Sequence, residues 1–287
     1  MTDLAQRVQD ELIQAIEKDQ LVLPTLPEVA LRVREAAEDP DVSIPHLVKE
    51  ISNDAALSAR LIKVVNSPLL RSRQEITDLA MAVNRMGITY TANLATGLAM
   101  SQMFQATSDV IDRKMREVWT RSTEVAGISH VLCRHYTKLK PDQATLAGLV
   151  HQIGVLPILS YAEENSQLLR DSISLNLVID RIHPVLGDRI LQAWDFPAPL
   201  RHVPSEHLDF QRNSSSVDYA DIVQVAMLQS LAGTQHPYAL MDWSTIPSFA
   251  KLGLDPAGPL GWTATRAVRS FIWYRGRLCP RLAVWSA

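Results

Sequence analysis

His151 is the residue whose type and setting most invite chemistry. It lies in residues 144–162, ATLAGLVHQIGVLPILSYA, nineteen residues without a formal charge near the middle of a 287-residue chain. An imidazole can ligate a metal, carry a proton or serve as a buried hydrogen-bonding group. A run this long and apolar is either a membrane span or a core helix. His151, Gln152 and Pro157 in its middle argue against a span, because ionisable groups are costly in lipid and proline removes a backbone donor. Leu146, Leu149, Val150 and Ile153 recur at three- and four-residue steps, which predicts a core helix buried on one broad face. Gly154 interrupts that pattern and residues 155–161 resume it. Other chemistry is sparse. Cys133 and Cys279 are the only cysteines and lie far apart, so there is no disulfide framework and no zinc spacing. No phosphate-cradling glycine loop and no nucleophile elbow occurs.

The elements that must position His151 read as helices throughout. With 47% hydrophobic and 21% charged residues the composition is that of a globular chain, and the low glycine count with few alternating β-branched runs disfavours a sheet. The charge balance, 28 − 31 = −3, gives no basic surplus, so nucleic acid is not an expected partner. Residues 1–20 are charged and amphipathic, unlike a signal peptide. Two further uncharged segments, 86–108 and 222–241, are rich in Thr, Asn, Ser, Gln and Gly and predict buried helices. A cytoplasmic protein without membrane contact is expected.

In chain order, Leu4, Val8, Leu12 and Ile16 stripe an opening helix behind Thr2, and LVLPTLP at 21–27 is an extended connector. Thr25 and Glu28 have capping-box spacing ahead of a helix over 29–38. Ser43 with Pro45 opens a helix through Ile51. Asn53 or Asp54 caps the next, which Asn66-Ser67-Pro68 stops. Thr77 or Asp78 starts a helix through Met86, and Gly87 separates it from a long one over 89–106. Further helices are predicted over 110–136, 165–170 and 175–182. Another runs from His183-Pro184 to Trp194, followed by 217–232, 246–254 and 263–273. Short loops between so many helices predict a bundle. Arg32, Arg34, Arg60, Lys63, Arg71 and Arg73 are expected on a solvated face, and Met81, Met86, Met100 and Met103 in core packing.

Residues 23–104 resemble the HDOD family, the HD-related output domains of bacterial signalling proteins. The resemblance rests on LPTLP at 23–27, DPD at 39–41, ISNDAALSARLIKVVNS at 51–67 and ITDLAMAVNRMG at 76–87. AGLVHQIG at 147–154 also resembles the central A-x-L-L-H-D-I-G motif of the HD superfamily, whose His-Asp pair ligates metal in phosphohydrolases. The likeness continues through His183-Pro184 to about Leu254. It implies an all-α fold of two packed helical subdomains. Residues 1–108 form the first and 109–276, an HD-like helical bundle, the second, with 277–287 an unassigned tail.

The same resemblance implies a degenerate site. Binuclear HD phosphohydrolases, such as cyclic di-GMP phosphodiesterases of the HD-GYP type, gather histidines and aspartates from several helices around metal-activated water. Here Arg121 or Ser122 stands where a histidine is needed, His151 is kept and Gln152 replaces the aspartate. His183 matches the histidine of H-P-x-x-G, Glu206-His207 stands where a histidine pair is expected, and Met227 replaces the last aspartate. Three imidazoles can hold zinc, yet with two anionic ligands gone and Arg121 nearby a cation would be poorly compensated. The expectation is a site without metal or cofactor, with His151 a hydrogen-bonded core residue and His183 at a helix start. The expected function is a non-enzymatic regulatory module acting on signalling proteins through protein contacts. The alternatives are a metal-dependent phosphohydrolase of a cyclic dinucleotide or nucleotide, and a pocket that binds a nucleotide without cleaving it.

Overall fold

The computed structural model describes residues 3–18, 23–67, 69–70 and 75–256. The expected helix over 263–273, the tail 277–287, Cys279, and Thr2, Leu21, Pro68, Arg71 and Arg73 lie outside them.

Among the described residues every regular element is helical, as the periodicity predicts. Helices α1 (Asp3–Glu17), α2 (Glu28–Glu38), α3 (Ile44–Ser52), α4 (Ala55–Val65), α5 (Leu79–Met86) and α6 (Ile88–Ala99) come first. The long α7 (Asp109–Tyr136) is followed by α8 (Pro141–Val150), α9 (Val155–Glu164), α10 (Ser166–Arg170) and α11 (Ser172–Ala193). The short α12 (Ala198–Arg201) and α13 (Val203–Glu206), then α14 (Tyr219–Leu231) and α15 (Pro247–Lys251), close the described chain.

Local chemistry sets most boundaries. Side-chain oxygens of Ser43, Asp54 and Asp78 accept the backbone N–H groups of His46, Leu57 and Met81, satisfying orphan donors at three helix starts. Asp218 and Asp221 form a reciprocal capping box at α14. Gly87, at φ 83°, ends α5 in a backbone conformation that other residues rarely adopt. The Thr25–Glu28 capping box does not form. The cap position of α2 is Pro27, so Glu28 is the first helical residue and cannot reach back three places.

Three other expectations are corrected. The long helix over 89–106 ends at Ala99 and tightens into a 3-10 turn at Met100–Met103. The central element is two helices, α8 and α9, broken by the turn 151–154, and His151 caps the end of α8. The two helices expected on either side of residue 183 are one, with His183 and Pro184 inside α11. Its apolar stripe of Leu175, Val178, Ile182, Leu186 and Ile190 runs buried straight through the proline, so packing overrides the local breaker.

Two apolar cores result. One gathers Val33, Leu47, Ile51, Leu57, Leu61 and Leu98 from α2–α6. The other fills the later helices around Leu132, Leu149, Ile158, Leu186 and Val225, and Ala5, Val8 and Leu12 of α1 belong to it. Helix α1 therefore packs against α11, and its apolar residues join this core and not that of α2–α6. The span Pro141–Glu164 is long and apolar enough to cross a membrane, but 83% of its most apolar 18-residue stretch is buried inside the protein.

Polar contacts tie the cores together. Arg34, expected on a solvated face, instead donates to the carbonyls of Trp194 (2.7 Å) and Asp195 (2.8 Å) at the end of α11. Its guanidinium also stacks 4.9 Å from the Phe196 ring. A cation is favoured there because the last carbonyls of a helix carry its negative pole. On α6, Asn93 donates to Asp142 (2.7 Å) and Tyr90 meets His130 (3.1 Å).

Candidate functional site

Small residues set the geometry of the candidate site. Helices α7 and α8 pack antiparallel: His130 meets Thr145 at 3.1 Å, and a Cβ on Gly148 would lie 2.5 Å from the Ala126 Cα. A Cβ on Gly154 would lie 2.0 Å from the His183 carbonyl oxygen and 2.5 Å from the Gly187 nitrogen, so the turn 151–154 presses directly on the α11 backbone. Gly187 in turn leaves room for Pro204 of α13, whose ring a Cβ would meet at 2.5 Å. Only hydrogen at these positions permits the approach.

The result is a cluster of three histidines from separate segments. His207, directly after α13, stands edge-to-face with His151 at 5.0 Å between ring centroids and 6.5 Å from His183. All three are buried. Each Nδ1 faces a backbone carbonyl one turn back: His151 to Gly148 (2.7 Å), His183 to Ile179 (2.7 Å) and His207 to Val203 (2.8 Å). Burial pushes the His151 imidazole down to about 3, with the Gly148 hydrogen bond opposing and the Arg121 charge adding to the shift. His183 is lowered by burial, with Ile179 and Asp180 opposing. His207 is lowered well below its ordinary value by burial and by the other two rings. All three are neutral at physiological pH.

The other positions singled out in the sequence distribute unevenly. The Ser122 hydroxyl and the Gln152 side-chain oxygen are buried without hydrogen-bond partners. Met227 is buried on α14, which packs against α7 and α8. Arg121 is exposed, with its charge felt at His151 and at His236. Glu206 pairs with Arg212 (2.9 Å). Arg212 also pairs with Asp218 and Asp221, and the fully buried Asp221 carboxylate is held by Lys251 (2.8 Å) and Ser248 (2.7 Å). Sequence reasoning missed this network, although the Asp218–Asp221 spacing signals its capping half. Gln224 of the same helix donates to the His207 carbonyl (3.0 Å) and so fixes the third histidine.

The two-metal centre implied by the HD superfamily can be tested against these atoms. Imidazoles whose Nδ1–H is held by a carbonyl are oriented as metal ligands usually are. The charge balance fails, however. Gln152 and Met227 are neutral, Glu206 is committed to Arg212, and Arg121 adds positive potential. Among the described residues no three His, Cys, Asp or Glu side chains stand so as to hold a metal ion. The residues present do not fit such a centre.

Comparison with known proteins adds independent information. A model of the HDOD domain matches residues 23–210. A crystal structure from Shewanella amazonensis, provisionally named a metal-dependent phosphohydrolase, is 30% identical with a TM-score of 0.82, covering 94% of this chain and 99% of that one. An HDOD domain protein of unknown function from Geobacter sulfurreducens is 19% identical with a TM-score of 0.64 over 97% of both chains, a likeness of fold. An uncharacterised Treponema pallidum protein is 28% identical over 209 residues, 64% of this chain and only 39% of that protein's length.

Proposed function

The chain belongs to the HDOD domain family, and from that premise we propose that it is a non-catalytic regulatory module of bacterial signalling, acting in the cytoplasm through contacts with other proteins. The observation that carries this reading is the fate of the carboxylates. Where a phosphohydrolase needs anionic ligands to hold two cations and balance a hydroxide, this site offers Gln152 and Met227, and the Glu206 carboxylate next to His207 in sequence is paired with Arg212. Metal-bound hydroxide would therefore be scarce and poorly placed. The family's role as output domains of signalling proteins supplies the partner class.

The test pairs metal analysis of protein purified without chelators with a cyclic di-GMP turnover assay. Less than stoichiometric metal and no turnover are expected. One equivalent of metal with turnover abolished by His151→Ala would establish the phosphohydrolase instead, the activity for which the Shewanella relative is provisionally named.

A further inference from the structure

A continuous chain of hydrogen bonds runs from α15 to the histidine cluster. Lys251 of α15 donates to Asp221 Oδ1 (2.8 Å) and to the Ser214 hydroxyl (2.8 Å). The Ser248 hydroxyl, one turn earlier, lies 2.7 Å from that same Asp221 oxygen and 2.7 Å from Gln224 Oε1. Gln224 Nε2 donates to the carbonyls of His207 (3.0 Å) and Asp209 (3.0 Å). Carbonyls only accept, so the amide cannot turn over without setting its own oxygen against both. The His207 ring then meets that of His151 at 5.0 Å. Asp221, Gln224 and Ser248 are each 1% exposed, so a bond lost among them is not made good by bulk water.

The Ser248 hydroxyl is where the chain can be broken. It carries one proton and faces two acceptors, a carboxylate and an amide oxygen. A charged acceptor draws a hydrogen bond more strongly than a neutral one. Cations on Asp221 weaken that pull: Lys251 shares its Oδ1, and Arg212 stands 3.5 Å away. Arg212 and Lys251 against Glu206, Asp218 and Asp221 leave the network at 2 − 3 = −1, and loss of Lys251 would take it to 1 − 3 = −2. Asp221 would then claim the Ser248 proton and leave Gln224 Oε1, equally buried, without a donor. We infer that Lys251 and Ser248 are positioning residues of the histidine cluster, and that α15 is a latch whose seating on α14 holds His207 in place through Gln224. Phe249, stacked on Trp243 at 5.7 Å, and the buried Leu252 secure the same segment by apolar contact, so the charge contact can be altered without removing the helix. The latch sets how the third histidine is held, whether or not the cluster takes a metal. In a module that acts through protein contacts, a partner that drew α15 off α14 would release His207.

The test follows carbethoxylation of each histidine by diethyl pyrocarbonate, read by mass spectrometry on the full chain and on Lys251→Met, Lys251→Arg and Ser248→Ala. Lys251→Met and Ser248→Ala should raise the rate at His207 by at least about threefold, the change in open population that losing one hydrogen bond brings. Lys251→Arg keeps the charge and should stay near the parental rate. Two other histidines calibrate the reading. The exposed His46 should not change, and His130, buried beside Tyr90 of α6, rises only if the whole protein loosens. A parental rate at His207 in both Lys251→Met and Ser248→Ala overturns the inference. So does a rise that His130 shares equally, which would make the effect one of global stability, and so does a Lys251→Arg that reacts as fast as Lys251→Met. Should Lys251→Met fail to fold, Ser248→Ala decides alone by the rate at His207 relative to His130. Metal content and phosphodiester turnover, which decide the regulatory reading, play no part, so the two can fail separately.

Discussion

Replacing Gly154 with alanine tests whether the close approach of the turn to α11 builds the pocket. The added Cβ would sit 2.0 Å from the His183 carbonyl oxygen and 2.5 Å from the Gly187 nitrogen. Both are backbone atoms of a helix, so neither can swing aside as a side chain would. Ordinary contact needs roughly 3.5 Å, so the turn and α11 must part by on the order of 1 Å, a gap that forfeits a quarter to a half of each dispersion contact across it. Overpacking of this kind costs about 1–3 kcal/mol, and the rigid neighbours put Gly154→Ala at the upper end. For a chain of this size that lowers the melting temperature by roughly 5–10 °C. Gly127→Ala is the internal control. It lies within α7, its Cβ would meet nothing within 4 Å, and alanine there should stabilise by about 0.5–1 kcal/mol through the unfolded chain and helix propensity. Thermal melts by circular dichroism read both variants. If Gly154→Ala melts at or above the parent while Gly127→Ala behaves as described, the proximity argument is wrong.

His151→Ala removes a ring that contacts His207 and donates to Gly148, and should destabilise the protein by about 1–3 kcal/mol; an unchanged melting temperature would contradict its structural role. Acid should unfold the protein early. His151 is held down to about 3 and His130 to about 4, in both cases chiefly by burial, whereas the unfolded chain takes up these protons below about 6.5. Stability is therefore full above that pH and falls toward the folded values by about 1.4 kcal/mol per pH unit for each such histidine. Urea midpoints that stay flat from pH 8 to about 5 would refute this linkage. Arg34→Lys keeps the charge but loses the two-carbonyl fork at Trp194 and Asp195. A loss of about 1–2 kcal/mol is expected in chemical denaturation, and an indifferent variant would show that the clamp does not join the two cores.

What the sequence determined by itself is what short-range physics determines. Helical class follows from the three- and four-residue apolar steps. Asp54, Asp78 and Gly87 mark their boundaries because capping and left-handed backbone are properties of a few adjacent residues. The family was legible because its motifs are short runs of residues close together along the chain. Tertiary packing decided the rest. That α1 joins the second core, that α11 runs through Pro184, and that Arg34 reaches Trp194 all depend on surfaces meeting across long stretches of chain. The sequence named three histidines, but not which nitrogen of each carries the proton. That was fixed by the carbonyls of Gly148, Ile179 and Val203, whose positions exist only once α8, α11 and α13 have folded. Glu206 likewise reads as a site carboxylate until Arg212 is in place to claim it, because an ion pair is chosen by distance in space and not along the chain.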